Sequence, residues 1–148
     1  MIPKHLFAVL FRRFLKYKCL IASHVRKYLT KTAYPSVSFA RGVFLNEGVY
    51  IQVTDGGILS VGKNVNIGRN TTIIVKYGQM EIDAQTHIGQ NVVLVSRNHI
   101  SIGEDCLIAE GVTIRDQNHG TKICSQPFRL QPFNSSPIII ENNRLVPK

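Results

Sequence analysis

No acidic residue occurs before Glu47. Nine of the 18 Lys and Arg residues fall in that acid-free stretch, while the rest of the chain sets nine bases against nine acids. The net charge of +9 therefore belongs to an N-terminal appendage and says nothing about the domain behind it. Cysteine is scarce: Cys19, Cys106 and Cys124 are an odd number without metal-ligand spacing. That excludes a disulfide framework and indicates a reducing compartment. The arm's longest apolar run, residues 6–11, is far too short to span a bilayer, and no signal cleavage site follows it before the arginines. A G-x-S-x-G nucleophile elbow is missing as well. What is present is 148 residues with a hydrophobic fraction of 44%, enough for one domain with a real core and too apolar for wholesale disorder.

Residues 1–34 read as a basic helical arm. Its first 31 residues contain no glycine and no acid, and Pro3 suits a first helical turn. Phe7, Leu10, Phe14, Tyr17, Ile21, Val25 and Tyr28 step by three or four, which is one face of a helix. Two readings stay open. The helix lies on an anionic membrane surface through residues 1–31, or it packs on its own domain or a neighbouring subunit. Nucleic acid is not expected as a partner, because no aromatic-interleaved or recognition-helix pattern accompanies the charge.

A six-residue beat occupies the remainder, residues 35–148. Its starts are Val61, Ile67 and Ile73, then Ile82, Ile88 and Leu94, then Ile102, Ile108 and Ile114, and finally Ile140. Every start is aliphatic, and most are followed by Gly, Ala, Asp or Glu. The misfits, Ile74, Val95 and Arg115, come at every third beat. Six residues are not a heptad, and strict alternation does not persist across them. Short strands separated by sharp corners fit, with the aliphatic residue inward and the small one allowing a tight turn. Three faces close a triangular coil, and coils stack by parallel pairing around a column of Ile and Val. Three coils are predicted, opening at Val61, Ile82 and Ile102, with Ile140 opening a fourth. The extra residues all leave from the third corner.

As a set, "VGKNVNIGRNTT", "IGQNVV" and "IGEDCLIAEGVTI" resemble the hexapeptide-repeat acyltransferases over residues 43–143. The resemblance implies an all-β fold, the left-handed parallel β-helix, here with a basic amphipathic helix in front. The stretch "IAEGVTIRDQNHG" followed by "QPFRLQPFNSSPIIIENN" is similar to the sugar O-acetyltransferases of capsule, O-antigen or exopolysaccharide synthesis. That implies acetyl-CoA as cosubstrate, a sugar or polysaccharide acceptor, a homotrimer with sites between subunits, and no metal. It also implies a cytoplasmic protein, with peripheral contact on the inner membrane face under the membrane reading of the arm.

The resemblance assigns His119 as general base. The chemistry agrees, since a sugar hydroxyl is a poor nucleophile and a thioester is already reactive, so one imidazole within reach suffices. Asp116 and Asn118 are expected to orient that imidazole or to bind sugar hydroxyls. His99 lies five residues after Leu94, as His119 lies five after Ile114. The pairs Asn98-His99 and Asn118-His119 are thus expected at equivalent corners of coils about 4.8 Å apart, which makes Asn98 and His99 acceptor-binding candidates. A zinc hydratase built on His87, His99 and His119 lacks the close pair of histidines such sites use. At the C-terminal end, Arg144 and Pro147 stand where small apolar residues are expected. The repeat therefore reads as cut short, and the rival reading is a truncated, catalytically weak homologue serving as a binding or assembly subunit.

Overall fold

The computed structural model describes residues 4–120, 127 and 130–148. Among these residues one helix, α1 (Lys4–Ala33), precedes sixteen short strands. It stops just before Tyr34-Pro35, where proline bars its predecessor from helical geometry, and Lys31 in its last turn complements the helix dipole.

The strands run in coils. The first holds β1 (Val37–Phe39), β2 (Phe44–Leu45) and β3 (Tyr50–Thr54), and the second β4 (Ile58–Val61), β5 (Asn66–Ile67) and β6 (Thr72–Lys76). The third holds β7 (Gln79–Ile82), β8 (His87–Ile88) and β9 (Val93–Ser96), and the fourth β10 (His99–Ile102), β11 (Leu107–Ile108) and β12 (Thr113–Arg115). An antiparallel ribbon, β13 (Gln117–His119) with β14 (Phe133–Ser135), leaves the coil path before β15 (Ile138–Ile140) and β16 (Leu145–Val146) begin a fifth coil. Each face is one parallel sheet: β1-β4-β7-β10-β15, then β2-β5-β8-β11-β16, then β3-β6-β9-β12. The molecule is a parallel β-solenoid.

The sequence count of three coils before Ile140 misses one. Phe39, Leu45 and Ile51 align with Val61, Ile67 and Ile73, so a complete coil precedes the first predicted start. Phe39 is aromatic, and a count of aliphatic starts passes over it, although its side chain packs on the core. From Val61 through Ile114 every predicted start is buried, and Ile67, Ile88 and Leu94 are wholly so.

Two local devices make the hexapeptide close. The third residue after each start sits in the left-handed region at the first two corners. Gly42, Asn64, Gln85, Asp105 and Asn143 do so at the first corner, and Gly48, Asn70, Asn91 and Gly111 at the second. Asn, Asp and Gly tolerate that conformation best. The residue after the start then donates its N–H to the start's counterpart one coil on, as in Gly68 N to Ile88 O (2.8 Å) and Gly89 N to Ile108 O (2.8 Å). Coils approach closely there: a Cβ at Gly68 would stand 2.4 Å from the backbone of Gly89. At Gly62, Gly68, Gly89 and Gly103 the close backbone approach leaves no room for a side chain, while Asp83 makes the same inter-coil bond to Ile102 O with one.

Helix α1 closes the base of the solenoid. Strand β2 has no coil beneath it, so its backbone groups need other partners. Ser23 Oγ accepts from Leu45 N (2.9 Å), Arg26 Nη1 donates to Leu45 O (3.1 Å), and Lys27 Nζ donates to Val43 O (2.8 Å). Burial at this contact lowers the Lys27 pKa below its ordinary value.

Candidate active site at the third corner

The third corner differs from the other two because chain enters and leaves there. After β12 the backbone makes one more inter-coil bond, Asp116 N to Val95 O at 3.3 Å, and then departs. It returns when Ser136 N donates to Asp116 O (3.0 Å), just ahead of β15. Asp116 is therefore the root of the whole excursion.

Its side chain fixes the coil below. Asp116 is 4% exposed. Its Oδ1 accepts from Arg97 N (2.8 Å), and its Oδ2 from Asn98 N (2.8 Å) and Arg97 N (3.0 Å). Ser96 Oγ lies 2.9 Å from both Asp116 Oδ2 and Gln79 O, so its single proton serves one of them at a time. The chain turns at Arg97 and Asn98, which belong to no strand, and the buried carboxylate takes the amides of both. Bonds from N–H to an ionised acceptor are the stronger kind. With these donors in place, Asp116 has little acceptor capacity left for a sugar hydroxyl, and its structural role is to hold Ser96, Arg97 and Asn98.

Around this corner lies a stack of cations and rings. The Arg97 guanidinium sits 4.0 Å from the centroid of the Phe133 ring and 5.0 Å from that of Tyr77, and Lys76 Nζ lies 5.3 Å from the Tyr77 centroid. Such contacts contribute about 0.5–2 kcal/mol each. They tie the ribbon, through Phe133, to the second and third coils. Tyr77 holds φ 65°, unusual for a bulky residue. None of Ser96, Arg97, Tyr77 and Phe133 stood out in the sequence. The signal was the larger residue at every third beat, where Tyr77 falls four after Ile73.

The expected site residues fall as follows. Asn98 is exposed, and its Nδ2 lies 3.4 Å from Ser135 Oγ on the ribbon. Asn118 is exposed in β13 opposite Asn134. His119 closes β13 opposite Phe133; its side chain lies outside the described residues, as does Cys124. His99 is half-buried on β10 and stacks on Gln79 of β7. The register expected to stack His119 on His99 stops short. Coil pairing ends at Arg115 opposite Val95, because β13 takes β14 as partner, and the next coil resumes over His99's strand with Ile138 on Ile100. His87 stands exposed on β8, a different face from His99, so the histidines considered for zinc lie on separate elements. Among the described residues no group of three metal-ligating side chains occurs. Gln117 Oε1, two residues before His119 in β13, is buried without a hydrogen-bond partner among the described residues.

Comparison with known proteins adds one relation. The chain is 30% identical over 111 residues to a probable acetyltransferase of Mycobacterium tuberculosis, a match spanning 74% of this chain and 37% of that protein. No family model matches the chain, and no solved structure matches it.

Proposed function

We propose that this chain is an acetyl-CoA-dependent O-acetyltransferase acting on a sugar hydroxyl of a cell-surface polysaccharide or its precursor, with His119 as general base. The observation that carries it is the Asp116 corner. A buried carboxylate roots the excursion that bears His119 and, in the same contacts, holds Asn98 and Arg97 at the ribbon's foot. On this reading the rigid solenoid carries the excursion bearing His119, and the same carboxylate fixes the turn that bears Asn98. The likeness to a probable acetyltransferase supports acyl transfer, and the solenoid agrees with the hexapeptide-repeat resemblance.

The proposed step needs one imidazole. His119 takes the proton of the acceptor hydroxyl as its oxygen attacks the thioester carbonyl. The C–S bond then breaks, the ester forms, and the imidazolium returns the proton to the departing thiolate. General-base assistance of this kind contributes about 10²–10⁴-fold. Asn98, Asn118 and His99 bind the acceptor, and Asp116 positions Asn98. The working form on this reading is a homotrimer with its sites between subunits.

Turnover tests this directly. Thiol release from acetyl-CoA is measured against a panel of sugar acceptors, with mass spectrometry of the product. His119→Ala is expected to lower kcat by about a hundredfold or more with folding unchanged. His99→Ala is expected to raise the acceptor KM more than it lowers kcat. An active wild type whose His119→Ala variant turns over equally well removes the mechanism, and a wild type that only binds the sugar favours the assembly-subunit reading.

A further inference from the structure

Helix α1 is turned the opposite way from an ordinary surface helix. Such helices bury an apolar stripe and show a polar face. Here Ser23, Arg26 and Lys27 face the solenoid and cap β2, and Ser23 is 1% exposed. The other side carries Leu10, Phe14, Tyr17, Ile21, Val25 and Tyr28, all in solvent, with Phe14 59%, Ile21 64% and Tyr28 71% exposed. The stripe runs for about 27 Å along the helix at the standard rise. Over residues 23–27 the polar face is used by the edge strand, and residues 8–21 are exposed all round, so nothing in the fold covers the stripe.

We infer that this stripe seats the protein on an anionic lipid surface, with α1 lying in the plane of the interface. Charge decides between possible occupants. Helix α1 contains no acidic residue, while Arg12, Arg13, Lys16, Lys18 and Lys31 are spread along it. Two copies pairing stripe to stripe would bring these rows together with no carboxylate on either helix to offset them. An anionic lipid surface supplies that charge at headgroup depth, and apolar burial plus attraction to acidic headgroups is what holds interfacial helices. Tyr17 and Tyr28 suit the same depth, having an apolar ring and a polar tip. No described helix is long and apolar enough to cross a membrane, which agrees with a helix lying in the surface.

The test uses the full chain, because deleting α1 would also strip the caps from β2. Sedimentation is compared with vesicles of phosphatidylcholine alone and vesicles containing about one-third phosphatidylglycerol. Binding is expected to the anionic vesicles and to weaken several-fold as salt rises, since surface attraction is screened. Phe14→Asp with Ile21→Asp is expected to lower that binding at least about tenfold. Its melting temperature should stay that of the wild type, because both side chains are exposed. No binding by the wild type, equal binding to both vesicles, or equal binding by the double variant each overturns the inference. A wild-type oligomer that dissociates in the double variant, without any vesicle binding, assigns the stripe to a second copy instead.

Discussion

The first two corners of each coil are nearly interchangeable, and the third is different in every coil. At the first two, an apolar start, an inter-coil bond and a left-handed third residue recur from Phe39 to Asn143. At the third, Asp55 and Gly56 turn the first coil at positive φ, Tyr77 turns the second, and the Asp116 carboxylate holds the turn of the third. The fourth coil releases the chain altogether. Regular corners make a stack whose coils support one another. An irregular corner lets one position depart from that rule without disturbing the column, and the candidate site lies there.

The sharpest way to break the comparison is to damage the regular part. Ile88 is wholly buried in the middle of the second sheet, with Ile67 and Ile108 as its neighbours in adjacent coils. Ile88→Ala is expected to destabilise by about 2–5 kcal/mol, as the column has no loop there to collapse into the gap. Ile139, 70% exposed on the outer side of β15, is the control: Ile139→Ser should stay within about 0.5 kcal/mol. Denaturant melts of both variants check this, and similar losses at the two positions would mean the column is not what holds the solenoid together.

A smaller and more local effect is expected at the third corner. Asp116→Ala leaves two amides and the Ser96 hydroxyl of a tight turn without their carboxylate. Since each unsatisfied buried donor costs about 1–3 kcal/mol, a loss of about 2–4 kcal/mol follows once water and Gln79 O recover part of it. The distinguishing readout is acceptor dependence. If Asp116 acts by positioning Asn98, the variant's acceptor KM should rise, and Asp116→Asn should recover part of both stability and KM. A variant as stable as the wild type would show that the corner does not depend on this carboxylate.

How much of this was legible follows the same division. The buried column could be read as far back as Val61 because aliphatic starts recur. The first coil was missed because Phe39 opens it. The Asn, Asp or Gly three after every first- and second-corner start but Ile82, which has Gln85, was equally visible, and it separates those corners from the third. The third corner was legible only as the place where loops leave. Asp116's partners are mainly backbone amides of another coil, which no side-chain pattern announces. The equivalence of Asn98-His99 with Asn118-His119 failed for a related reason: counting residues assumes that the ladder continues, and β13 exchanges it for β14. Periodicity likewise revealed the stripe on α1 but not which way it turns, since that depends on what β2 needs at its open edge.

The smallest effect is expected where a first corner departs from its own rule. Four after the start, that corner buries Val43, Val65, Thr86 and Cys106 in successive coils, but in the fifth coil it carries Arg144, exposed and paired with Glu141. The hydrogen bond and charge of Arg144 hold the Glu141 carboxyl below its ordinary value and raise Arg144 above its own. The sign of the linkage follows. A carboxylate with a depressed folded pKa contributes fully above its unfolded value, about 4.3, and loses that contribution as pH falls through the depressed one. Arg144 stays charged throughout, so only Glu141 titrates in the working range. Arg144→Gln is therefore expected to lower the melting temperature by about a degree or less near neutral pH, as befits an exposed pair, and the difference should vanish in acid. The backbone at this corner is held independently, by Gly103 N to Ile140 O (2.8 Å) and Leu107 N to Arg144 O (2.9 Å). A large loss in Arg144→Gln, or one that persists unchanged at low pH, would show that the fifth coil is held by its side chains and not by the ladder that serves the other four.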